Sequence, residues 1–417
     1  MKTKKFFLVA AVLIVSLFFI NELRLDYVDY ENKNKTVIEF ASWGSQTEIE
    51  ILKPLLSEFE HENPDIKVKF IHIPQNYFPK IHLLFASNLA PDVVFINNLY
   101  LPVYANAGLF EKMPFVDKRE YLNFNAFDSE EVNLSFYEKA LKSLSYKGSL
   151  YAIPRDISNM VIYINKDIFD KYNTPYPNKY WTLKDLLILA KKLTLDTDND
   201  GKTDIWGISF EEKPPLYYLP YLMSEGGGIL SDDLKQNIID SPQSQKGLNF
   251  YADLRNKYHV APTRAEAGSA TMAQMFLQGH LAMQVSGRWL VPKYLSDAKF
   301  NWNVVNFPAG DAGSIVPLDA SGWAIAKSSK HKKEAMKLVQ FLASERSIQQ
   351  FTQSGLIVPA RIDVAEGEFS IIENSPPNNQ VFIDAIYSSK PTPVSIDYNT
   401  VLDNLEQKTD YLFNKEN

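Results

Sequence analysis

The feature that most narrows the fold is a run of four apolar residues, Val93-Val94-Phe95-Ile96, that follows two strand-and-helix units. A strand that is apolar at every position is covered on both faces, which is the mark of a parallel sheet flanked by helices. The preceding segments agree with this. Val37, Ile38 and Phe40 read as a strand broken by Ser42-Trp43-Gly44-Ser45, after which Ile49, Leu52, Leu55, Leu56 and Phe59 recur at helical spacing. Asn63-Pro64-Asp65 stops that helix, Ile66, Val68 and Phe70 alternate as the next strand, and Ile81, Leu84 and Phe85 mark a second helix. The fold class is α/β. Further along, Thr182 caps a helix over 183–193, Ser241-Pro242 opens one running to Tyr258, and Lys332 to Leu342 is another. Gly226-Gly227-Gly228 reads as a turn; it lacks the strand, helix and Lys-Ser/Thr that a phosphate cradle needs.

The chain has 417 residues, and at roughly 100–200 residues per domain this favours two or three folded units. Its 43 basic against 50 acidic side chains leave a net charge of −7, with no basic excess to neutralise phosphates, so nucleic acid is not an expected partner. There is no cysteine, which removes disulfides, thiolate metal sites, cysteine nucleophiles and the acylated cysteine of a bacterial lipoprotein. The six histidines show no His-x-x-x-His pair, and no Gly-x-Ser-x-Gly elbow is present. Three lysines within Met1 to Lys5 precede the apolar run Phe6 to Ile20. That run is shorter than the ~20 residues of an ordinary membrane-spanning helix, and reads as an export signal. Asn21-Glu22-Leu23-Arg24 offers no small-x-small cleavage site, so residues 6–20 are also readable as a retained membrane tether, the chain's sole membrane contact. With or without cleavage the folded part is expected to be periplasmic or extracytoplasmic.

Several segments, in order, resemble the family 1 extracellular solute-binding proteins, the maltose-binding-like receptors that feed ABC importers. These are Phe59-Glu60 with Asn63-Pro64-Asp65-Ile66-Lys67-Val68, Ala90-Pro91-Asp92-Val93-Val94, and Tyr151-Ala152-Ile153-Pro154-Arg155-Asp156 leading to Tyr163-Ile164-Asn165-Lys166-Asp167. Trp181 to Leu186, Phe276 to Met283 with Gly287-Arg288-Trp289, and Ser321-Gly322-Trp323-Ala324-Ile325 complete the series over roughly residues 36 to 360. The last fifty residues match only loosely. The resemblance implies a two-lobe, hinged periplasmic-binding-protein fold of type II with ligand in the cleft. Residues 1–35 are then signal or anchor plus linker, 36–150 and 303–350 lobe one, and 151–302 and 351–417 lobe two. It also implies a monomeric, non-enzymatic receptor without cofactor, which takes a sugar or oligosaccharide and delivers it to ABC permease subunits.

A sugar presents C–H faces that stack on aromatic rings and hydroxyls that need donors and acceptors, so its site combines Trp or Tyr with Asp, Asn, Glu and Arg. Trp43 and Ser45 lie just past the first strand, and Asn97 and Asn98 just past the buried one, at the strand ends where open α/β sheets bind ligands. A loop anchor and turn chemistry are the respective alternatives. Asp156 and Asn159 fall where the resemblance places an inter-lobe crossing; Arg155 and Asp156 are also readable as a salt bridge. Arg288, Trp289, Ser321 and Trp323 match positions near the family's cleft, with core packing as the alternative for both tryptophans. Tyr217 and Arg361 complete the set. A glycoside hydrolase using two of Asp156, Glu211 and Asp319 is the competing function. Asp196-x-Asp198-x-Asp200-Gly201, with Asp204 at the ninth place, has the spacing of a structural calcium loop, although Gly207 stands where the bidentate Glu belongs; the alternative is a solvated acidic turn.

Overall fold

The computed structural model describes residues 35–113, 136–367 and 376–414. The signal or anchor plus linker expected at 1–35 therefore lies, up to residue 34, outside the described residues. Among those residues no helix is long and apolar enough to cross a membrane. The chain divides into two compact units, residues 1–94 with 328–338, and residues 95–327 with 339–417.

In the first unit β1 (Thr36–Ser42) pairs in parallel with β2 (Ile66–His72) along its whole length, and Phe40 and Ala41 pair with Val93 and Val94 at the start of β3 (Val93–Asn97). Ile38 and Phe40 are fully buried, as the alternation predicts. The connecting helix Gln46–Glu62 starts where the Ser45 hydroxyl accepts the Glu48 amide, and it buries Ile49, Leu52, Leu55, Leu56 and Phe59. Its last turn is bound to β2 by Glu60, which accepts from the Val68 amide at 2.8 Å and from Lys67 Nζ at 2.7 Å. Asp92 does the same for β1, accepting the Glu39 amide at 2.9 Å.

In the second unit β4 (Ser145–Tyr146) and β5 (Ser149–Leu150) form a hairpin. β6 (Ile153–Ser158) and β7 (Val161–Asn165) follow, and β7 is the centre of an antiparallel trio with β8 (Met283–Ser286) and β9 (Trp302–Val305). β10 (Pro317–Ile325) runs antiparallel to β6 with a bulge at Ser321/Gly322, while β11 (Val358–Pro359) flanks β6 and β12 (Lys390–Pro391) flanks β10. The helices fall near their expected bounds. Leu183–Lys192 opens with a reciprocal Thr182–Asp185 capping box, and Pro242–Asn256 opens with the Ser241 hydroxyl accepting the Ser244 amide. The glycine triplet is a turn for two reasons: Gly226 has φ +85°, and a Cβ on Gly227 would lie 2.4 Å from the Ser244 nitrogen.

The loosely matched C-terminal residues form the helix Tyr398–Phe413, which closes one side of this core. Phe413 is fully buried, 5.3 Å from the rings of Phe210 and Tyr218 and 5.4 Å from Tyr251. Beside it Arg255 stacks 3.9 Å from the centre of the Phe210 ring and donates to Glu212 Oε1 at 2.6 Å, while Asn256 donates to the Leu412 carbonyl at 2.8 Å.

Candidate ligand-binding site

In the first unit the end of β1 sets the direction of Trp43. The half-buried indole meets Phe78 edge-on at 5.4 Å and Tyr77 at 6.2 Å, and the Tyr77 hydroxyl is fixed by the Ala41 carbonyl at 3.0 Å. Ser45, two residues on, is the helix cap.

In the second unit the expected residues separate by how far their polar atoms are already committed. Asn97 accepts the Tyr100 amide at 3.3 Å. Asn98 is buried, donating to Asp319 Oδ1 at 2.9 Å and accepting the Ala320 amide at 3.1 Å. Asp156 is buried and accepts Arg155 Nε at 2.6 Å, and the Arg155 guanidinium lies between Phe95 at 4.4 Å and Phe351 at 5.1 Å. Asn159 donates to the Phe382 carbonyl at 2.9 Å. Ser321 sits at the β10 bulge, and Trp323, on the same strand opposite Ile153, is buried. Arg361 is spent on local structure, donating to Asp363 Oδ1 at 2.9 Å and to the Ala343 carbonyl at 3.1 Å.

Tyr217 and Trp289 differ: both rings are only partly buried, resting on the second unit's core. Trp289 lies flat across Gly287, where a Cβ would fall 1.9 Å from its Cζ3. Gly287 is held in turn by its carbonyl, which accepts the Tyr163 hydroxyl at 2.8 Å, and Tyr163 meets Tyr294 edge-on at 5.2 Å. Tyr294 donates to Gln284 and feels the charges of Tyr217 and Glu211. Glu211 and Tyr217 thus lie within electrostatic reach of Tyr294, whose partner Gln284 is on the strand that leads to the Gly287–Trp289 corner.

Glu211 is the residue whose place here sequence reasoning did not identify; it entered only as a carboxylate of the competing hydrolase. Its signal was the acidic pair after Phe210 and ahead of Pro214-Pro215. Burial, reinforced by Glu212 and opposed by Arg255, pushes its carboxyl up to about 7. Burial, then Glu211, pushes the Tyr217 phenol up to about 12. Chemically the neighbourhood offers flat apolar ring surface beside a carboxyl and a phenol, the mixture that packs a pyranose face and hydrogen-bonds its edge.

The raised Glu211 value fixes a pH dependence. The folded state binds this proton below about 7, whereas the unfolded chain releases it above 4.5. The group's stabilising contribution is therefore complete below the unfolded value and is lost as pH rises through the folded one. Glu211→Gln is expected to remove on the order of 2 kcal/mol from the wild-type loss of stability between pH 5 and 8. Denaturant titrations of both proteins at those two pH values measure it; parallel curves would place the Glu211 carboxyl in water.

In the acidic loop Asp196, Asp198 and Asp204 each bring an oxygen within 4.8 Å of the others, and Asp200 is not in the group. Asp196 accepts the Asp200 and Gly201 amides at 3.2 and 2.8 Å, and Asp204 accepts the Thr197 amide at 2.7 Å.

A match to the family described as bacterial extracellular solute-binding protein runs over residues 43–349. The chain belongs to that family. Its members are binding receptors and not enzymes, and the family's sugar-binding proteins typically need no cofactor. Among curated relatives, the galactooligosaccharide-binding protein of Bacillus subtilis is 22% identical over 333 residues, covering 77% of this chain and 72% of that protein. The multiple sugar-binding protein of Streptococcus mutans is 25% identical over 338 residues, 76% of this chain and 74% of its own. Among solved structures, an ABC substrate-binding protein of Listeria monocytogenes in complex with cycloalternan aligns with TM-score 0.79 and 26% identity over 92% of this chain and 95% of that one. The GacH receptor of Streptomyces glaucescens aligns with TM-score 0.77 and 22% identity, covering 92% and 94% of the two chains. The fold is accordingly the two-lobed, type II α/β fold of periplasmic binding proteins.

Proposed function

We propose that this chain is the extracytoplasmic receptor of an ABC importer, which captures a neutral oligosaccharide by closure of two lobes and presents the closed form to the permease subunits. One observation carries the choice of ligand: Trp289 and Tyr217 rest partly uncovered on the second unit's core, and Tyr217 is within electrostatic reach of the Glu211 carboxyl. The relatives whose names specify galactooligosaccharides and multiple sugars, and the neighbour bound to cycloalternan, support the same class. Closure is driven only by the difference in affinity between closed and open forms. The lobes in this reading are residues 36–150 with 303–350 and residues 151–302 with 351–417. The receptor acts as a monomer, tethered by residues 6–20 where that segment is retained.

In the second unit Tyr217 and Trp289 are the proposed stacking surfaces, Glu211 and Ser321 the groups that meet hydroxyls, and Asn97 and Asp156 the groups that shape the loops around them; in the first unit Trp43 is the stacking candidate. Ser45, Asn98, Asn159, Arg288, Trp323 and Arg361 hold these groups in place. A structural calcium ion at Asp196, Asp198 and Asp204 is the second part of the reading; it rests on the convergence of those three carboxylates.

Thermal unfolding of the full chain with malto- and galacto-oligosaccharides, each with calcium or with chelator, tests both parts. A ligand at a hundred times its Kd adds about 2.7 kcal/mol of stability, so one oligosaccharide is expected to raise the midpoint and to be recovered unhydrolysed. No response to any sugar would overturn the carbohydrate reading, and sugar turnover would overturn the receptor reading. A midpoint indifferent to calcium would leave the acidic loop a solvated turn.

A further inference from the structure

β7 and β8 are paired with Val161 opposite Ser286 and Tyr163 opposite Gln284. Side chains alternate along a strand, so Val161 and Tyr163 share a face with Gln284, Ser286 and, one step past β8, Arg288. The contacts agree. Tyr163 and Arg288 feel each other's charge, the Phe382 ring lies 6.4 Å from Tyr163 and 5.1 Å from the Arg288 guanidinium, and Asn159 reaches the same place by donating to the Phe382 carbonyl.

Four atoms gathered here are sealed from solvent with no hydrogen-bond partner: Arg288 Nε and Nη2, Ser286 Oγ and Asn159 Oδ1. Arg288 is 4% exposed, Asn159 1% and Ser286 0%. Arg288 Nη1 donates to Asn379, and among the described residues no carboxylate pairs with the guanidinium. Burial lowers its pKa only to about 10, so at neutral pH it carries a full positive charge. Buried charges in folded proteins are paired, and this one lacks its counter-charge.

We infer that the Nε–Nη2 edge of Arg288, together with the Ser286 hydroxyl, binds a small monovalent anion of chloride or carboxylate type inside the second unit. The two N–H groups on that edge point the same way, which suits one halide or the two oxygens of a carboxylate. Asn159 Oδ1 is an acceptor, so it faces a water beside the anion and takes a hydrogen from it. The proposed occupant is an ion from solution, and a uronic acid arm in the test separates it from a carboxylate carried by the solute. Ser286 and Arg288 flank Gly287 in the chain, so filling the site also steadies the backbone on which Trp289 lies.

Unfolding midpoints of the full chain in chloride, formate and gluconate at one ionic strength test this, with bromide-soaked crystals locating the ion by anomalous scattering. Chloride or formate is expected to raise the midpoint saturably over gluconate, with a bromide peak beside Arg288 Nε. Ser286→Ala, which removes one donor and keeps the charge, is expected to weaken the apparent anion affinity about tenfold. Arg288→Met is expected to abolish the response, and the serine variant reads the site even where the arginine variant fails to fold. Equal midpoints in chloride, formate and gluconate with no bromide peak would overturn the inference. A response confined to uronic acid ligands would also overturn it, assigning the arginine to the solute.

Discussion

Gly287→Ala lowers affinity for the best oligosaccharide by about 10- to 100-fold while leaving the indole of Trp289 in the sequence, and this is the largest functional effect expected. Residue 287 has φ −105° and ψ −176°, an extended conformation that alanine adopts freely, so no backbone strain is introduced. The added methyl instead lands 1.9 Å from Trp289 Cζ3 and 2.4 Å from Cη2, and the ring has to leave its seat. Trp289→Ala removes the same surface outright and is expected to fall in the same range, since aromatic stacking on a ligand contributes on the order of 1–3 kcal/mol. Calorimetric titration of both variants measures the effect, with unfolding midpoints as the control for folding. A glycine variant that binds like wild type while the tryptophan variant does not would show that the ring's position is irrelevant. Unchanged affinity in both would take Trp289 out of the site.

Gly322→Ala carries the largest expected cost in stability. Residue 322 pairs with Pro154 across the bulge in β10, and its ideal Cβ lies 2.0 Å from the Ile153 oxygen, 2.7 Å from that carbonyl carbon and 3.0 Å from the Pro154 Cα. These are backbone atoms of a paired strand and cannot turn aside as a side-chain end does. Relief requires moving β6 off β10, with loss of about 3 kcal/mol or more. Denaturant unfolding checks it. A midpoint within experimental error of wild type would mean that the two strands do not approach as closely as the β6–β10 register places them.

Much of the scaffold was legible because it follows from periodicity. The alternation of Ile38 with Phe40 and the spacing of Ile49, Leu52, Leu55, Leu56 and Phe59 report directly which faces are buried, and the structure buries those faces. The helix openings at Thr182 and Ser241 were legible for a similar reason, as the capping residue and the amide it satisfies are three apart in sequence. Site chemistry is less local. Ser45 at a strand end is as well suited to capping a helix as to meeting a hydroxyl, and only the Glu48 amide at 3.3 Å shows that it caps. Arg361 presents the same ambiguity, settled by a carboxylate two residues away and a carbonyl eighteen residues back. Glu211 was hard to place because its raised pKa comes from burial, together with Glu212 next to it and Arg255 across the fold, and no window of sequence contains all of these. Arg288 was read as a cleft residue because it matches a position near the family's cleft, and only the structure shows its guanidinium buried against the Phe382 ring while the Trp289 ring stays partly uncovered.

The aromatic cage around Phe413 also joins distant parts of the sequence in one core. Phe210, Tyr218 and Tyr251 form one side of it, adjoining Glu211, and they lie far ahead in sequence of the residue that fills the gap. The backing of the segment that carries Glu211 therefore comes from the far end of the sequence, a long-range contact that local structure cannot replace.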